Sequence, residues 1–166
     1  MSEPKAEKAP QLEVRRAQPG DEHIISSLIL EAFEPFKDEY TPGAFDYVTP
    51  AASRVLERYD EGPMWIAELQ GEPIGTVSGL PEIERYYIRS MAVIPRSQRI
   101  GAGQQLLEAL ERDARERGYA RTYLYTTFVL PGATKLYEKN GFSILRETPP
   151  EEWFDMGGLE MEKILK

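Results

Sequence analysis

Hydrophobic and polar positions change period several times along this 166-residue chain. Leu12-Glu13-Val14-Arg15-Arg16 alternates, which predicts a short first strand. Pro19-Gly20-Asp21 reads as a turn with Asp21 as an N-cap; Ile24, Ile25, Leu28, Ile29 and Phe33 then recur at helical spacing until Pro35 stops the helix. Thr49-Pro50 has the form of a cap followed by proline at the first helical position, predicting a second helix through Val55, Leu56 and Tyr59 to Gly62-Pro63.

Strand patterns follow. Met64 to Leu69 and Ile74 to Gly79 flank a turn at Gln70-Gly71-Glu72, as in a hairpin. Tyr86 to Ile94 is rich in aromatic and β-branched residues; strict alternation would put Tyr87, Arg89 and Met91 on one face and Tyr86, Ile88 and Ser90 on the other. Next comes a helix with Leu106, Leu107, Leu110 and Ala114 on one stripe, Glu108–Arg112 and Glu111–Arg115 pairs on the other face, and Gly118 at its end. Thr122 to Thr127, a short helix from Ala133 to Lys139, and strands at Phe142 to Arg146 and Leu159 to Leu165 complete the pattern. The order β-α-α-β-β-β-α-β-α-β-β, with an early hairpin and a later β-α-β crossover, predicts an α/β (α+β mixed) fold with a mixed sheet between helices, not a doubly wound parallel sheet.

Composition narrows the function. Residues 1–10, MSEPKAEKAP, lack a signal peptide's apolar core and read as a disordered tail, leaving 11–166 as a single domain. No stretch reaches the length of a membrane span. Cysteine is absent and His23 is the single histidine, so neither disulfide, thiolate site nor histidine metal site is expected, and a cytoplasmic location fits. The formal charge of −8 disfavours nucleic acid as a partner. It otherwise indicates solubility or a mild preference for cationic small molecules.

One motif carries chemistry. In Ser97-Gln98-Arg99-Ile100-Gly101-Ala102-Gly103-Gln104-Gln105, two glycines stand where a strand becomes a helix. Such a loop presents backbone N–H groups and a positive helix end to an anion. A tight turn needing glycine for close packing reads the same way. The NTPase loop GxxxxGK is absent, and a GxGxxG dinucleotide fingerprint would need glycine where Leu106 stands.

The segment Met91 to Leu107, MAVIPRSQRIGAGQQLL, resembles the signature of the GNAT superfamily of acyl-CoA-dependent N-acyltransferases, with Gln98-Arg99-Ile100-Gly101-Ala102-Gly103 as its loop. Ala133-x-x-Leu136-Tyr137-Glu138-Lys139-x-Gly141-Phe142 resembles the family's second motif, and the likeness spans Leu12 to Leu165. The resemblance implies a mostly antiparallel sheet of about six to seven strands with about four helices, and transfer of acetyl from acetyl-CoA to an amine of a small molecule or protein. It implies that the N–H groups from Arg99 to Gln104 cradle the pyrophosphate, that Met91, Ala92 and Val93 offer strand groups to the pantetheine arm, and that Tyr137 is the general acid. The glycines would then keep Cβ atoms out of the phosphates' way. The strand pair from Tyr86 and from Tyr123 is expected to splay. Dimers are frequent in the family, so a homodimer is an expectation by analogy. A non-catalytic acyl-CoA-binding module would share the same features.

Other roles are less fixed. Glu84, or Glu82 through water, is the candidate base, and either also reads as an ordinary loop carboxylate. Arg89 reads as binding a substrate carboxylate or pairing with an acidic neighbour. Tyr40, Tyr87, Arg89 and Thr126 are candidate acceptor-site residues, with Glu34, Phe36, Asp38, Thr41 and Tyr47 in the adjoining connection. Leu130 stands where the family often has asparagine, which removes a side-chain contact to the cofactor.

Overall fold

The computed structural model describes residues 11–166, so the expected tail at 1–10 lies outside the described residues. One seven-stranded sheet runs in the order β1-β2-β3-β4-β5-β7-β6. Its strands are β1 (Leu12–Arg16), β2 (Met64–Leu69), β3 (Glu72–Pro81), β4 (Tyr86–Val93), β5 (Arg121–Thr127), β6 (Ser143–Thr148) and β7 (Gly158–Ile164). Every neighbouring pair is antiparallel except β4–β5. Gln70 (φ +53) and Gly71 (φ +82) form the two-residue hairpin loop, both left-handed as a type I′ turn requires.

The helices are α1 (Glu22–Phe33), α2 (Pro42–Val48), α3 (Ala52–Arg58), α4 (Ala102–Glu116) and α5 (Pro131–Lys139). One more helix is present than the hydrophobic pattern predicts. Thr41-Pro42 opens α2, with Thr41 Oγ1 accepting from the Ala44 N–H at 3.4 Å. Thr49-Pro50 has the same form but does not open a helix. Thr49 closes α2, its hydroxyl donating to Phe45 O at 2.6 Å, and α3 starts three residues later, at Ala52. In α3 the buried pair is Val55 and Arg58, whereas Leu56, expected in the apolar stripe, is 47% exposed.

Helices α1 and α3 lie on one face of the sheet and α4 and α5 on the other. Tyr86 marks the second face: its hydroxyl donates to Asp113 of α4 at 2.7 Å. Both faces being covered, Met64 to Ala67 of β2 and Ile74 to Gly79 of β3 are buried without alternation. Helix α4 buries Leu106, Leu107 and Leu110, each contributing about 1.5–3 kcal/mol. Glu111, expected on its exposed face, is instead buried and takes Lys163 Nζ of β7 at 2.8 Å. The expected Glu108–Arg112 pair is not formed; Glu108 accepts from Gln104 at 3.2 Å. Asp21 sits at the α1 N-cap but gives its carboxylate to Arg15 and the Gln18 N–H rather than to the helix. No helix among the described residues is long and apolar enough to cross a membrane.

Candidate active site

The parallel seam between β4 and β5 closes only at Tyr86↔Thr122 and Tyr87↔Tyr123. The Tyr87 and Tyr123 rings stack at 5.0 Å across the last of these pairs. From Ile88 onward β4 has no partner in β5, which leaves its β5-facing backbone groups free. A bulge bends β4 within this stretch. Thr76 pairs with Ala92 and Ser78 with Arg89, so two steps on β3 span three on β4, and Ser90 takes φ +56. The extra residue shifts the alternation: Ala92, not Met91, shares the face of Tyr87 and Arg89.

Beyond the strand, Arg99 (φ +72) and Gly101 (φ +89) curl the chain into α4. The Gln105 N–H bonds Gly101 O as the first helical hydrogen bond. No side chain caps this end and no acidic residue occupies the first turn. The N–H groups of Ala102, Gly103 and Gln104 therefore lack helical acceptors, and the helix dipole adds positive character. Gln98, Arg99, Ile100 and Gly101 are exposed beside them; Gln98 Nε2 turns back to Val93 O at 3.3 Å.

The two glycines serve different needs. A Cβ on Gly101 would meet nothing within 4 Å, so its left-handed backbone is what demands glycine. A Cβ on Gly103 would lie 3.0 Å from Leu136 Cδ2 of α5, so close helix packing explains Gly103. These two local needs stand beside the one expected for both, room for a bound phosphate, and open space at Gly101 is compatible with it.

Tyr137 of α5 is buried, its ring against Phe142 at 5.8 Å. Burial, reinforced by the Tyr87 phenol, pushes its pKa well above the usual tyrosine range. Its hydroxyl therefore stays protonated, and it hydrogen-bonds to no other described residue.

A scaffold for acyl transfer is recognisable here, and a model of the Acetyltransferase (GNAT) family matches residues 26–142. The chain belongs to the GNAT acetyltransferase family. A mouse relative described as "Probable N-acetyltransferase family 8 member 5" is 31% identical over 125 residues, covering 72% of this GNAT chain and 54% of its own length. This chain thus spans about half of that relative. The PaiA N-acetyltransferase of Thermoplasma acidophilum, solved with coenzyme A, superposes with TM-score 0.80 at 16% identity, over 93% of this chain and 99% of that one. A GNAT acetyltransferase of Elizabethkingia anophelis with acetyl-CoA bound superposes with TM-score 0.71 at 20% identity, over 93% and 98%. These likenesses establish the fold.

In this GNAT chain Glu84 is exposed in the β3–β4 turn, at the paired end of the seam and away from the bulge. Glu82 accepts the Tyr123 hydroxyl through its carboxylate and the Tyr119 hydroxyl through its backbone oxygen. Tyr40 is buried with its hydroxyl 3.3 Å from Thr127 Oγ1, and Thr126 Oγ1 donates to Thr127 O at 3.4 Å. Burial, then the nearby Tyr47, pushes the Tyr87 phenol up to about 12. Arg89 donates from Nη2 to Glu61 Oε2 at 2.9 Å, which is the acidic-neighbour alternative. Leu130 is the N-cap of α5 and makes no side-chain cap. Among the described residues no cluster of three His, Cys, Asp or Glu side chains could hold a metal ion.

Three residues near the bulge escaped the hydrophobic pattern. Arg58 donates from Nη1 to Ser90 Oγ at 2.9 Å, and Glu61 links Arg89 to Arg54 at 3.0 Å. The sequence signal for Arg58 was its place three residues after Val55, where a core-facing helix should be apolar. Burial, then the charges of Arg89 and Arg54, lowers its pKa to about 10, which leaves it charged at neutral pH. A cleft of about 270 Å³ lined by Arg16, Tyr59, Glu61, Pro81 and Arg117 lies toward the opposite end of α4 from the glycine loop.

Proposed function

We propose that this chain transfers the acetyl group of acetyl-CoA directly to a primary amine, with no covalent enzyme intermediate. The observation that carries the reading is the unpaired stretch of β4 leading straight to an uncapped, left-handed entry into α4. The N–H groups of Ala102 to Gln104 suit a pyrophosphate, with Gln98, Arg99, Ile100 and Gly101 around them. The free edge of Met91 to Val93 suits the amides of the pantetheine arm, as an added strand would. No side chain caps the helix end and no acidic residue stands in its first turn, so the residues fit this donor.

Acetyl-CoA supplies an activated thioester whose thiol has an ordinary pKa near 8.5. Tyr137 holds a proton through the neutral range and has no acceptor of its own among the described residues, so it can give that proton to the departing sulfur. The acceptor amine must arrive neutral. Glu84 and Glu82 stand at the paired end of the seam, so a base there acts through water. The reaction is confined to the region the protein keeps free of ladder pairing, and no metal is needed for it.

Isothermal titration with acetyl-CoA tests the donor, and release of free thiol with a panel of amines tests the chemistry. Micromolar binding with amine-dependent thiol release is the expected result. Binding without release by any amine would make the chain a binding module. Failure of the folded protein to bind acetyl-CoA would overturn the reading.

A further inference from the structure

Two arginines lie beneath β4 at its bulge. Arg58 is 4% exposed and the Arg89 side chain 9% exposed. Arg58 Nη1 donates to Ser90 Oγ and Arg89 Nη2 to Glu61 Oε2, both at 2.9 Å. The Nε of each is enclosed and finds no acceptor among the described residues. Arg58 Nη2 and Arg89 Nη1 likewise make no hydrogen bond among the described residues, yet they are not enclosed.

The charges do not balance. Arg54, Arg58 and Arg89 have two nearby carboxylates: Glu57 contacts Arg54, and Glu61 contacts Arg54 and Arg89, which leaves Arg58 with a neutral hydroxyl. Partly buried cations elsewhere are matched: Arg85 has Glu160 and Glu162, and Lys163 has Glu111. A buried guanidinium without an anion is costly, and a protein that keeps one loses stability unless a ligand supplies the missing charge. Its planar fork suits a carboxylate, which can take two parallel N–H bonds.

The surroundings also suit a small molecule. Arg89 and Ser90 come two and three residues after Tyr87, the last closed position of the seam. Tyr87 stands next to them, its ring 6.0 Å from that of Tyr125, and Tyr47 adds a half-exposed ring packed on Trp153 and Phe154. We infer that the Arg58–Arg89 pair anchors a carboxylate carried by the acceptor, so that the acceptor is an amino acid or a close relative rather than a simple amine or polyamine. This rests on the acetyl-transfer reading above.

The test compares acceptors that differ only in the carboxylate: amino acids, L-phenylalanine among them, against their decarboxylated amines such as 2-phenylethylamine. Thiol release gives kcat/KM, and titration gives the acetyl-CoA Kd of each protein. The wild type is expected to prefer the amino acids by at least about tenfold, mainly through KM. Arg58→Met should erase that preference while acetyl-CoA still binds, and Arg58→Lys should restore part of it. A purely structural Arg58 would not move the ratio. Equal or better use of the decarboxylated amines by the wild type, which needs no variant to fold, would overturn the inference. So would a preference that survives both Arg58→Met and Arg89→Met, or acetyl-CoA binding with no amino acid acetylated. Loss of acetyl-CoA binding in the wild type would instead remove the reading on which the inference stands.

Discussion

Gly103 packs directly against Leu136: a Cβ there would stand 3.0 Å from Leu136 Cδ2, joining the first turn of α4 to α5. Gly101, two residues earlier, touches nothing but holds φ +89. The expected consequences of substitution differ in size and cause. Gly101→Ala should destabilise by about 1–2 kcal/mol through backbone strain alone. Gly103→Ala should change stability by less than about 1 kcal/mol, because the helix gains from alanine while the flexible end of Leu136 gives way. Denaturant titration of both variants decides it; a larger loss at Gly103 would mean that Leu136 cannot give way, and no loss at Gly101 would refute the backbone assignment.

Tyr137→Phe should lower kcat by about 100-fold or more and leave the acetyl-CoA Kd within about twofold. Stability should change by less than about 1 kcal/mol, since the hydroxyl makes no hydrogen bond to another described residue and is not enclosed. Because burial raises this phenol's pKa, any fall in wild-type activity between pH 8 and about pH 10 comes from another group. A kcat near the wild-type value would exclude Tyr137 as the proton donor.

The Glu61 carboxyl is held below its usual value of 4.5, first by the hydrogen bond from Arg54, against burial, and then by Arg89. A depressed carboxyl pKa contributes stability that is present above the unfolded value and lost as pH falls through the folded one. Glu61→Gln should therefore cost about 1–2 kcal/mol at pH 7, the low end reflecting partial exposure. The gap between the two proteins should narrow as pH drops below about 4.5. Tm measured from pH 7 to pH 3 checks this, and a gap that widens on acidification would contradict it.

Tyr86 joins the sheet to α4 through its bond to Asp113, which Arg117 Nε also contacts at 2.7 Å. Tyr86→Phe leaves Asp113 that second partner, so a loss of only about 1–2 kcal/mol is expected. Chemical denaturation measures it. A loss above about 3 kcal/mol would mean that the hydroxyl has a further role.

Local signals carried much of the architecture. The Gln70-Gly71 turn, the stripe of Leu106, Leu107 and Leu110, and the strand–loop–helix around Gly101 depend on residues close in sequence. Each therefore left a periodic or turn-specific mark. Thr41-Pro42 left the same mark as Thr49-Pro50, and the pattern alone could not tell which of the two would open a helix. Thr49 was decided by the helix already formed before it, whose Phe45 carbonyl it caps.

The sequence by itself determined the order of the seven strands and of four of the five helices, the open glycine entry into α4 and the place of Tyr137 after it. These follow from hydrophobic period and from the few residues that tolerate left-handed backbone. Only the tertiary structure decided that β4 bulges at Ser90, that Glu61 captures Arg89, and that Arg58 reaches the bulge with no carboxylate of its own. Those contacts join residues 28 and 32 positions apart. No local pattern encodes them, because a guanidinium's partner is set by which chain segments the closed fold brings within hydrogen-bonding distance.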